Sequence, residues 1–356
     1  MKRILLLLAA MTLFAASAGA QGWMRQPTPN DTLRSTVVLP DNSVVFQIYA
    51  PEAKSVAVAG DLPWDKPARF VKQENGVWKA RLNNMVEGIY RYRFIVDGMN
   101  VYDPKAPNAG ETSALLTVDA KGDEFFAMKN VPHGAVAQRY YWSEPLKEMR
   151  RLHVWTPAGY ENSTEKLPVL YLVHGGGDTD NSWPGVGAAG FILDNLMAEG
   201  KMKPMVVVMP NGSIHMPDGN MMGEVPVFAE DMITSIIPFI ESNYRVYTDQ
   251  ANRAMAGLSM GGMETRAITL ARPEVFAYYG LLSGGTYAPE DIKDPKQVKG
   301  IFLSCGGKEG PDRIMQAAEA LKAAGYNAKG YVSPGTGHEF QTWRRSLLEM
   351  APMLFK

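Results

Sequence analysis

The sequence predicts two units in series, a β-sandwich followed by an α/β unit with a mainly parallel sheet. Residues 30–122 alternate apolar and polar side chains with period two, between closely spaced turn signals. After residue 138, apolar runs alternate with amphipathic stretches, a pattern typical of strands that alternate with helices. Within this second part, Ser259 is the centre of a Gly-x-Ser-x-Gly pattern between an apolar run and a helical stretch.

A predicted signal peptide, residues 1–20, begins the chain. Lys2 and Arg3 form its basic start, residues 4–14 its apolar stretch, and residues 18–20 a cleavage site of small residues. The apolar stretch is too short to span a bilayer, and no cysteine near the cleavage point could carry a lipid anchor. We therefore expect a periplasmic or secreted protein that has no membrane association once the signal is removed.

The composition argues against several classes of partner. The chain has 36 basic and 37 acidic residues and a formal net charge of −1, which disfavours nucleic acid and anionic membranes as partners. Its one cysteine, Cys305, excludes an intramolecular disulfide and lies in an apolar run that predicts a packed thiol. No Cys/His cluster suggests zinc, so we expect neither a metal nor an organic cofactor. The oligomeric state is left open.

The first unit, residues 30–122, is predicted to contain seven or eight short strands. In residues 88–96 the apolar side chains share one face, and Arg91 and Arg93 point to the other. Residues 123–138 carry few periodic signals and are predicted to form a linker. The second unit then covers residues 139–356, with strands expected near 152–155, 169–173, 205–209, 276–282 and 300–304. Residues 231–241 carry an apolar stripe typical of a helix.

The first unit resembles the immunoglobulin-like early-set domains of carbohydrate-binding family 48, found beside glycogen-branching enzymes. The resemblance depends on residues 56–61 (VAVAGD), Trp64, 76–78 (GVW), 88–92 (GIYRY), 96–98 (VDG) and 103–104 (DP). It implies an immunoglobulin-like β-sandwich. Trp64 and Trp78 are candidates either for stacking on a sugar or for packing inside the unit, so glycan binding is left open.

Ser259 has the sequence context of a nucleophile elbow, a sharp turn between a strand and a helix. Residues 254–258 are apolar and residues 260–271 are helix-like. Gly257 and Gly261 fit such a turn because neighbouring backbone segments approach closely there. The pattern also arises by chance, so a catalytic role for Ser259 requires a base, an acid and an oxyanion site.

His338 is the predicted base among the five histidines. It follows an apolar run, lies in a glycine-rich loop, and comes late in the chain, as the order nucleophile, acid, base of α/β-hydrolases requires. His133 lies in the predicted linker and His153 in an early strand, which disfavours both. His174 is expected to be structural, and His215 is expected to contribute to substrate binding.

The predicted acid is Glu309, which follows the strand at 300–304; Asp312 is the competing candidate. The oxyanion site is expected to use the backbone amide of Met260 and that of Gly175 or Gly176. These two glycines follow the strand at 169–173, where this fold supplies the second donor.

The second unit resembles the family-1 carbohydrate esterases, the feruloyl and acetylxylan esterases of the α/β-hydrolase fold. The matching segments are residues 154–157 (VWTP), 159–160 (GY), 174–177 (HGGG), Trp183, 194–196 (DNL), 210–212 (PNG), 237–241 (IPFIE), 244–245 (YR), 253–262 (RAMAGLSMGG), 337–339 (GHE) and 343–344 (WR). The resemblance implies a catalytic triad of Ser259, Glu309 and His338. Many members carry Asp where this chain has Glu309, and either carboxylate can orient a histidine.

The combined resemblance implies a secreted serine carboxylester hydrolase that removes hydroxycinnamoyl (feruloyl) groups from plant cell-wall hemicellulose, an arabinoxylan-like partner. Trp183 is a candidate for substrate binding by stacking, and the alternative is a packing role in its loop. The competing functions are an acetylxylan esterase, a siderophore esterase, an acyltransferase, and a non-catalytic glycan-binding protein. The predicted fold class is therefore α/β, with an α/β-hydrolase domain preceded by an immunoglobulin-like β-sandwich.

Overall fold

The computed structural model describes residues 26–356 except 64–66, 104, 107, 110, 215–220 and 293–294. The predicted signal peptide, Trp64 and His215 therefore lie outside the described residues. Trp78 is half-buried, and its indole N–H donates to the carbonyl of Ala50 at 3.0 Å, which fits the packing interpretation of that side chain.

Two antiparallel sheets form the first unit, called here the N-terminal sandwich. One has the strand order β1-β2-β5-β4, the other β3-β6-β9-β8, and β7 pairs with β6. The strands are β1 (Thr36–Val38), β2 (Val44–Tyr49), β3 (Val56–Gly60), β4 (Val71–Lys72), β5 (Val77–Leu82), β6 (Gly88–Val96), β7 (Met99–Val101), β8 (Asn108–Ala109) and β9 (Ala114–Val118). The described residues thus form nine strands where seven or eight were expected, since β4 and β8 have only two residues each and are too short to show alternation.

The N-terminal sandwich is held together by the inner faces of its two sheets. Phe46 on β2 meets Tyr92 on β6 edge to face, with ring centroids 5.5 Å apart. Tyr90 and Phe94 also face this core, as the period-two pattern predicts. Arg91 and Arg93 consequently point away from it.

The stretch expected as a linker, residues 123–138, ends earlier than predicted. Strand β10 (Ala135–Ser143) begins inside it. The prediction missed this start because β10 is an edge strand with mostly exposed side chains, so its first residues show no apolar alternation. The preceding segment is attached to the second unit, because Asn195 donates its amide hydrogens to the carbonyls of Phe125 and Ala127 at 2.9 and 3.0 Å.

An eight-stranded sheet is the centre of the second unit, called here the C-terminal α/β unit. Its order is β10-β11-β13-β12-β14-β15-β16-β17, antiparallel at β10-β11 and β11-β13 and parallel from β13 onward. The further strands are β11 (Glu148–Thr156), β12 (Val169–Val173), β13 (Val206–Pro210), β14 (Arg253–Leu258), β15 (Tyr278–Leu282), β16 (Gly300–Gly306) and β17 (Ala328–Ser333). The parallel strands end at one edge of the sheet, where ligands bind in open α/β folds.

Helices cover both faces of this sheet. They are α1 (Ala189–Ala198), α2 (Met221–Asp231), α3 (Ile237–Asn243), α4 (Met260–Ala271), α5 (Asp312–Ala323) and α6 (Phe340–Met350), and a π-helical turn (Met232–Ile236) joins α2 to α3. α1 and α6 pack on one face, and α2 to α5 on the other. The predicted stripe at 231–241 is buried at Ile236 and Ile240. In the described part of the chain, no helix has the length and apolar character needed to cross a membrane.

The two units share a hydrophobic cluster rather than touching only at their surfaces. Ile89 and Leu115 of the N-terminal sandwich lie in the same buried cluster as Phe126, Trp183 and Phe340. Burying these side chains on both sides of the boundary removes apolar surface from water, which favours a fixed docking of the units.

Arg344 on α6 reinforces this junction. Its Nη1 donates to the carbonyl of Val186 at 2.6 Å and to that of Ile89 at 3.4 Å, and its guanidinium lies over the ring of Phe126. Burial lowers the pKa of this guanidinium, because the charged form is removed from water. Helix α6, the N-terminal sandwich and the connecting segment are therefore held together by the contacts of this one side chain.

Candidate active site

Ser259, Glu309 and His338 follow three strands of the parallel sheet at the same edge. Ser259 comes directly after β14, Glu309 three residues after β16, and His338 five residues after β17. The adjacency of these strands in the sheet, with only β15 between β14 and β16, brings the three side chains together.

Ser259 adopts the strained backbone of a nucleophile elbow. Its φ is +50°, a value that costs a non-glycine residue about 1–3 kcal/mol and persists only where the surrounding structure enforces it. The N–H of Ser259 donates to the carbonyl of Leu282 at 2.9 Å, and its carbonyl accepts from Gly262 at 3.0 Å. These bonds turn the chain from β14 into α4 and leave the hydroxyl half-exposed.

Close backbone contacts explain the two glycines of the motif. A Cβ on Gly257 would lie 2.2 Å from the carbonyl carbon of Gly261, and one on Gly261 would lie 2.3 Å from the carbonyl oxygen of His174. Neither neighbour is a flexible side chain that could move aside. The expectation that Gly257 and Gly261 fit a turn in which neighbouring backbone segments approach closely matches this geometry.

His338 lies between the serine and the carboxylate. Its Nε2 is 2.8 Å from Ser259 Oγ, and its Nδ1 is 2.7 Å from Glu309 Oε2. With Nδ1–H donating to the carboxylate, Nε2 is left to accept the proton of the hydroxyl. The histidine ring also meets Trp343 edge to face, with centroids 5.1 Å apart, which limits its rotation.

Glu309, rather than its competitor Asp312, faces the histidine. The loop that carries Glu309 is fastened to the histidine loop by the N–H of Lys308, which donates to the carbonyl of Thr336 at 2.9 Å. Asp312 is exposed and begins helix α5. Cys305 is buried on β16; burial, with Glu309 nearby, raises the pKa of its thiol to about 11, as suits a packed side chain.

Ser283, a residue that the sequence analysis did not single out, completes the carboxylate's surroundings. It follows β15, and its hydroxyl donates to Glu309 Oε1 at 2.8 Å, while the N–H of Gly306 donates to the same oxygen at 2.7 Å. The indole N–H of Trp343 donates to Ser283 Oγ at 3.1 Å. A serine after an apolar strand carries no signal of its own, so only the strand order reveals this contact.

The residues expected to form the oxyanion site lie beside the serine. A Cβ on Gly175 would be 3.3 Å from Ser259 Cβ, and one on Gly176 would be 3.9 Å from Met260 Cβ. Met260 is the first residue of α4, so its N–H has no partner in the preceding turn of the helix. The loop of Gly175 to Gly177 thus borders the serine from the side of β12.

His174 is a structural residue, as expected. It is buried; its Nδ1 is 2.8 Å from the carbonyl oxygen of Gly175, and its Nε2 accepts from the N–H of Gly212 at 3.0 Å. Both ring nitrogens are therefore engaged in holding the glycine loop to the segment that follows β13.

A cavity of about 490 Å³ opens above Ser259 and is lined by both units. The C-terminal α/β unit contributes the glycine loop, Asp178, His338, Phe340 and Trp343. The N-terminal sandwich contributes one wall: Asp61, Leu62, Ile89, Tyr90 and Arg91. The lining therefore combines aromatic rings with charged groups, a mixture that suits a partly apolar ligand.

Trp183 does not line this cavity, so the expectation that it binds substrate is wrong. Its side chain is only 1% exposed; its indole N–H donates to the carbonyl of Val173 at 3.1 Å, and its ring packs against Phe340. The alternative, a packing role in the loop, fits these contacts. His215, the other candidate for substrate binding, lies outside the described residues.

Two family models match the chain in the places where the two units lie. Residues 143–354 match the esterase family, described as "Putative esterase". Residues 34–116 match carbohydrate-binding module 48, the isoamylase N-terminal domain.

An endo-1,4-beta-xylanase/feruloyl esterase of Xylanibacter ruminicola is 45% identical over 322 residues. The alignment covers 87% of this chain but 44% of the relative, so the chain spans less than half of that protein's length.

Two solved structures have the same fold. Enterochelin esterase from Shigella flexneri superposes with a TM-score of 0.62 at 18% identity, over 94% of this chain and 99% of that one. A CE1 ferulic acid esterase from Anaeromyces mucronatus, in complex with ferulic acid, superposes with a TM-score of 0.57 at 22% identity, over 65% of this chain and 95% of that one. The predicted fold class, an α/β-hydrolase unit preceded by a β-sandwich, is confirmed.

Proposed function

The chain belongs to the esterase family, and we propose that it hydrolyses carboxylic esters through a covalent acyl-enzyme on Ser259. The observation that carries this proposal is the continuous chain of hydrogen bonds from Ser259 Oγ through His338 to Glu309. A hydroxyl is a weak nucleophile until a base accepts its proton; the 2.8 Å contact of His338 Nε2 with Ser259 Oγ and the carboxylate on Nδ1 support this role for His338.

The reaction proceeds in two steps. Ser259 Oγ attacks the ester carbonyl while His338 Nε2 takes its proton, and the amides of Met260 and of Gly175 or Gly176 stabilise the oxyanion. His338 then protonates the leaving alkoxide, which departs as the alcohol. Water, deprotonated by the same histidine, next attacks the acyl-enzyme and releases the free acid and the serine hydroxyl.

The experiment that tests this chemistry compares the purified protein with its Ser259→Ala variant on an aryl ester. We expect hydrolysis by the unaltered protein and a loss of about 10⁴-fold or more in the variant. Mass spectrometry of the quenched reaction should show an acyl adduct on the peptide that contains Ser259. Equal rates for the two proteins would overturn the assignment.

For the substrate, we propose a hydroxycinnamoyl ester of a plant hemicellulose such as arabinoxylan. The Xylanibacter relative is named a feruloyl esterase, and the cavity offers Tyr90, Phe340 and Trp343 as rings around an aromatic acyl group. The purified protein should be ranked by kcat/KM on methyl ferulate, acetylated xylan and a simple acetyl ester. A preference for the acetylated substrates would make acetyl esters the substrate class.

We also propose that the protein is exported, on the pattern of residues 1–20. Export would bring the protein to its proposed substrate, an insoluble plant polymer that cannot enter a cell. Expression of the full chain in a Gram-negative host, followed by fractionation and N-terminal sequencing, should place the mature protein in the periplasm or medium with Gln21 at its start. Retention of the uncleaved chain in the cytoplasm would contradict this.

A further inference from the structure

We propose that Arg91 of the N-terminal sandwich is a positioning residue for the glycine loop, residues 175–178. The inference rests on the proposed ester hydrolysis and assigns to the sandwich a part in turnover itself, independent of any glycan binding. It follows from a contact across the boundary between the two units.

Arg91 is held by its own unit and reaches into the other. Its Nε donates to Asp61 Oδ2 at 2.7 Å, and the N–H of Asp61 donates to the carbonyl of Arg91 at 2.9 Å, so the pair is fixed within the sandwich. Its Nη1 donates to Asp178 Oδ1 at 2.5 Å. The guanidinium also lies 5.5 Å from the ring centre of Phe340.

Asp178 ends the loop that borders Ser259. Its N–H donates to the carbonyl of Gly175 at 3.2 Å, and Gly177 within this turn has a φ of +76°. The carboxylate is only 8% exposed, so its bond to Arg91 is charge-assisted and little screened by solvent. Displacement of Asp178 would therefore move the turn that carries the proposed oxyanion donors.

The loop depends on such anchors because its three glycines, residues 175–177, have no side chains to pack. On one side the ring of His174 fixes the carbonyl of Gly175, and on the other side Arg91 fixes Asp178. Backbone amides stabilise an oxyanion only when they are held in place beforehand, and a shift of about 1 Å can cost on the order of a hundredfold in rate.

Other contacts keep the two units docked when Arg91 is replaced. Arg151 bonds both Asp180 at 2.8 Å and Glu111 of the sandwich at 2.5 Å, and Arg344 bonds the carbonyl of Ile89. Removal of Arg91 should therefore loosen the loop without separating the units.

The charge balance favours positioning over substrate binding. The positive charge of Arg91 is opposed by the two carboxylates of Asp61 and Asp178, so the group offers little attraction to an anionic ligand. Its Nε and Nη1 are already used in these bonds, and one face of the guanidinium is covered by Phe340.

The test measures kcat and KM of the full chain on 4-nitrophenyl acetate, an ester whose leaving group carries no sugar. For Arg91→Met and for Asp178→Asn we expect kcat to fall about tenfold while KM changes by less than about twofold. Arg91→Lys, which keeps the charge, should recover part of the loss. Arg93→Met is the matched control, because Arg93 lies on the same face of β6 and bonds Asn100 instead of the loop.

The double variant Arg91→Met with Asp178→Asn decides whether Arg91 acts through Asp178. We expect its kcat to be no lower than that of the worse single variant, since the two changes remove the same contact. Two results would overturn the positioning role: a loss of kcat in the double variant equal to the product of the two single losses, or a raised KM with unchanged kcat. We expect the melting temperatures of all variants to lie within a few degrees of that of the unaltered protein. This result would exclude global unfolding as the cause of the lower kcat.

A fluorophosphonate probe separates this inference from the proposed function. The probe phosphorus bonds to Ser259 Oγ, fluoride leaves, and His338 takes the serine proton, so the labelling rate reports the same machinery without any ester. No labelling of the unaltered protein would count against the proposed function. Rapid labelling of that protein, with an equal rate for Arg91→Met, would count against the role of Arg91 alone.

Discussion

Ser283 donates a hydrogen bond to Oε1 of Glu309, the carboxylate oxygen that does not face His338. With the N–H of Gly306 on the same oxygen, the carboxylate is held so that Oε2 alone is directed to the histidine. The orientation of the proposed base therefore depends on a residue that is three hydrogen bonds away from the reacting hydroxyl.

Replacing Ser283 by alanine should lower kcat/KM on an aryl ester about tenfold, chiefly through kcat, because a hydrogen bond to a charged group is lost. Steady-state kinetics on the purified variant measure this. Ser304→Ala is the matched control, since that buried hydroxyl bonds Ser346 and not Glu309. Equal losses in both variants would mean that the effect comes from the fold in general.

Glu309→Gln should reduce kcat by about 10³–10⁴-fold, because an amide cannot hold the histidine in the required tautomer or stabilise its protonated form. Asp312→Asn should change kcat by less than about twofold, as expected for an exposed residue at a helix start. The reverse order of effects would transfer the role of the acid to Asp312.

Gly284 should not tolerate a side chain. A Cβ there would lie 2.4 Å from the Cα of Gly262 on α4, so Gly284→Ala must push the strand end away from the elbow. We expect a loss of about 1–3 kcal/mol in the free energy of unfolding, measured by chemical denaturation, together with reduced activity. In Gly190→Ala, the control on α1, the new Cβ meets its nearest atom at 3.4 Å, and stability should be kept or increased.

His133 should make stability depend on pH. Its hydrogen bond to Asp194, and then that to the carbonyl of Lys129, raise the pKa of His133 above its ordinary value of 6.5. A raised pKa in the folded state adds stability that is fully present below the ordinary value and is lost as pH rises through the folded-state pKa.

The melting temperature of the unaltered protein should therefore exceed that of His133→Gln more at about pH 5.5 than at about pH 8.5. Asp194→Asn, which replaces the carboxylate that bonds His133, should give the same result. The melting temperature of the unaltered protein should exceed that of this variant more at about pH 5.5 than at about pH 8.5. A difference that is independent of pH would mean that the ring contributes through packing, for example against Phe191, and not through its charge.

The parts of the site that sequence predicts are those with local signals. Ser259 has a fixed spacing of glycines around it, and His338 and Glu309 each follow a recognisable apolar strand. Ser283 could not be found in this way, because its contact with Glu309 arises only when β15 takes its place between β14 and β16. The sequence also indicates that Arg91 points out of the sandwich, but not which surface it meets.

Trp183 illustrates the same limit for packing. A tryptophan on a loop after the glycines is compatible with stacking on a ligand or with anchoring the loop. Trp183 anchors the loop because its ring packs against that of Phe340, which lies more than 150 positions later in the chain. The linker end was missed for a related reason, since an edge strand such as β10 pairs on one side only and shows little of the apolar pattern of a buried strand.

The apolar cluster that joins Ile89 and Leu115 to Phe126 and Phe340 bears on how such proteins recombine. The boundaries at which family models divide this chain are not boundaries of its hydrophobic interior. An engineered chimera that exchanges the N-terminal sandwich, or a truncation that deletes it, would expose part of the hydrophobic core of the C-terminal α/β unit. A successful exchange must therefore bring the interface residues and the connecting segment from the same donor protein.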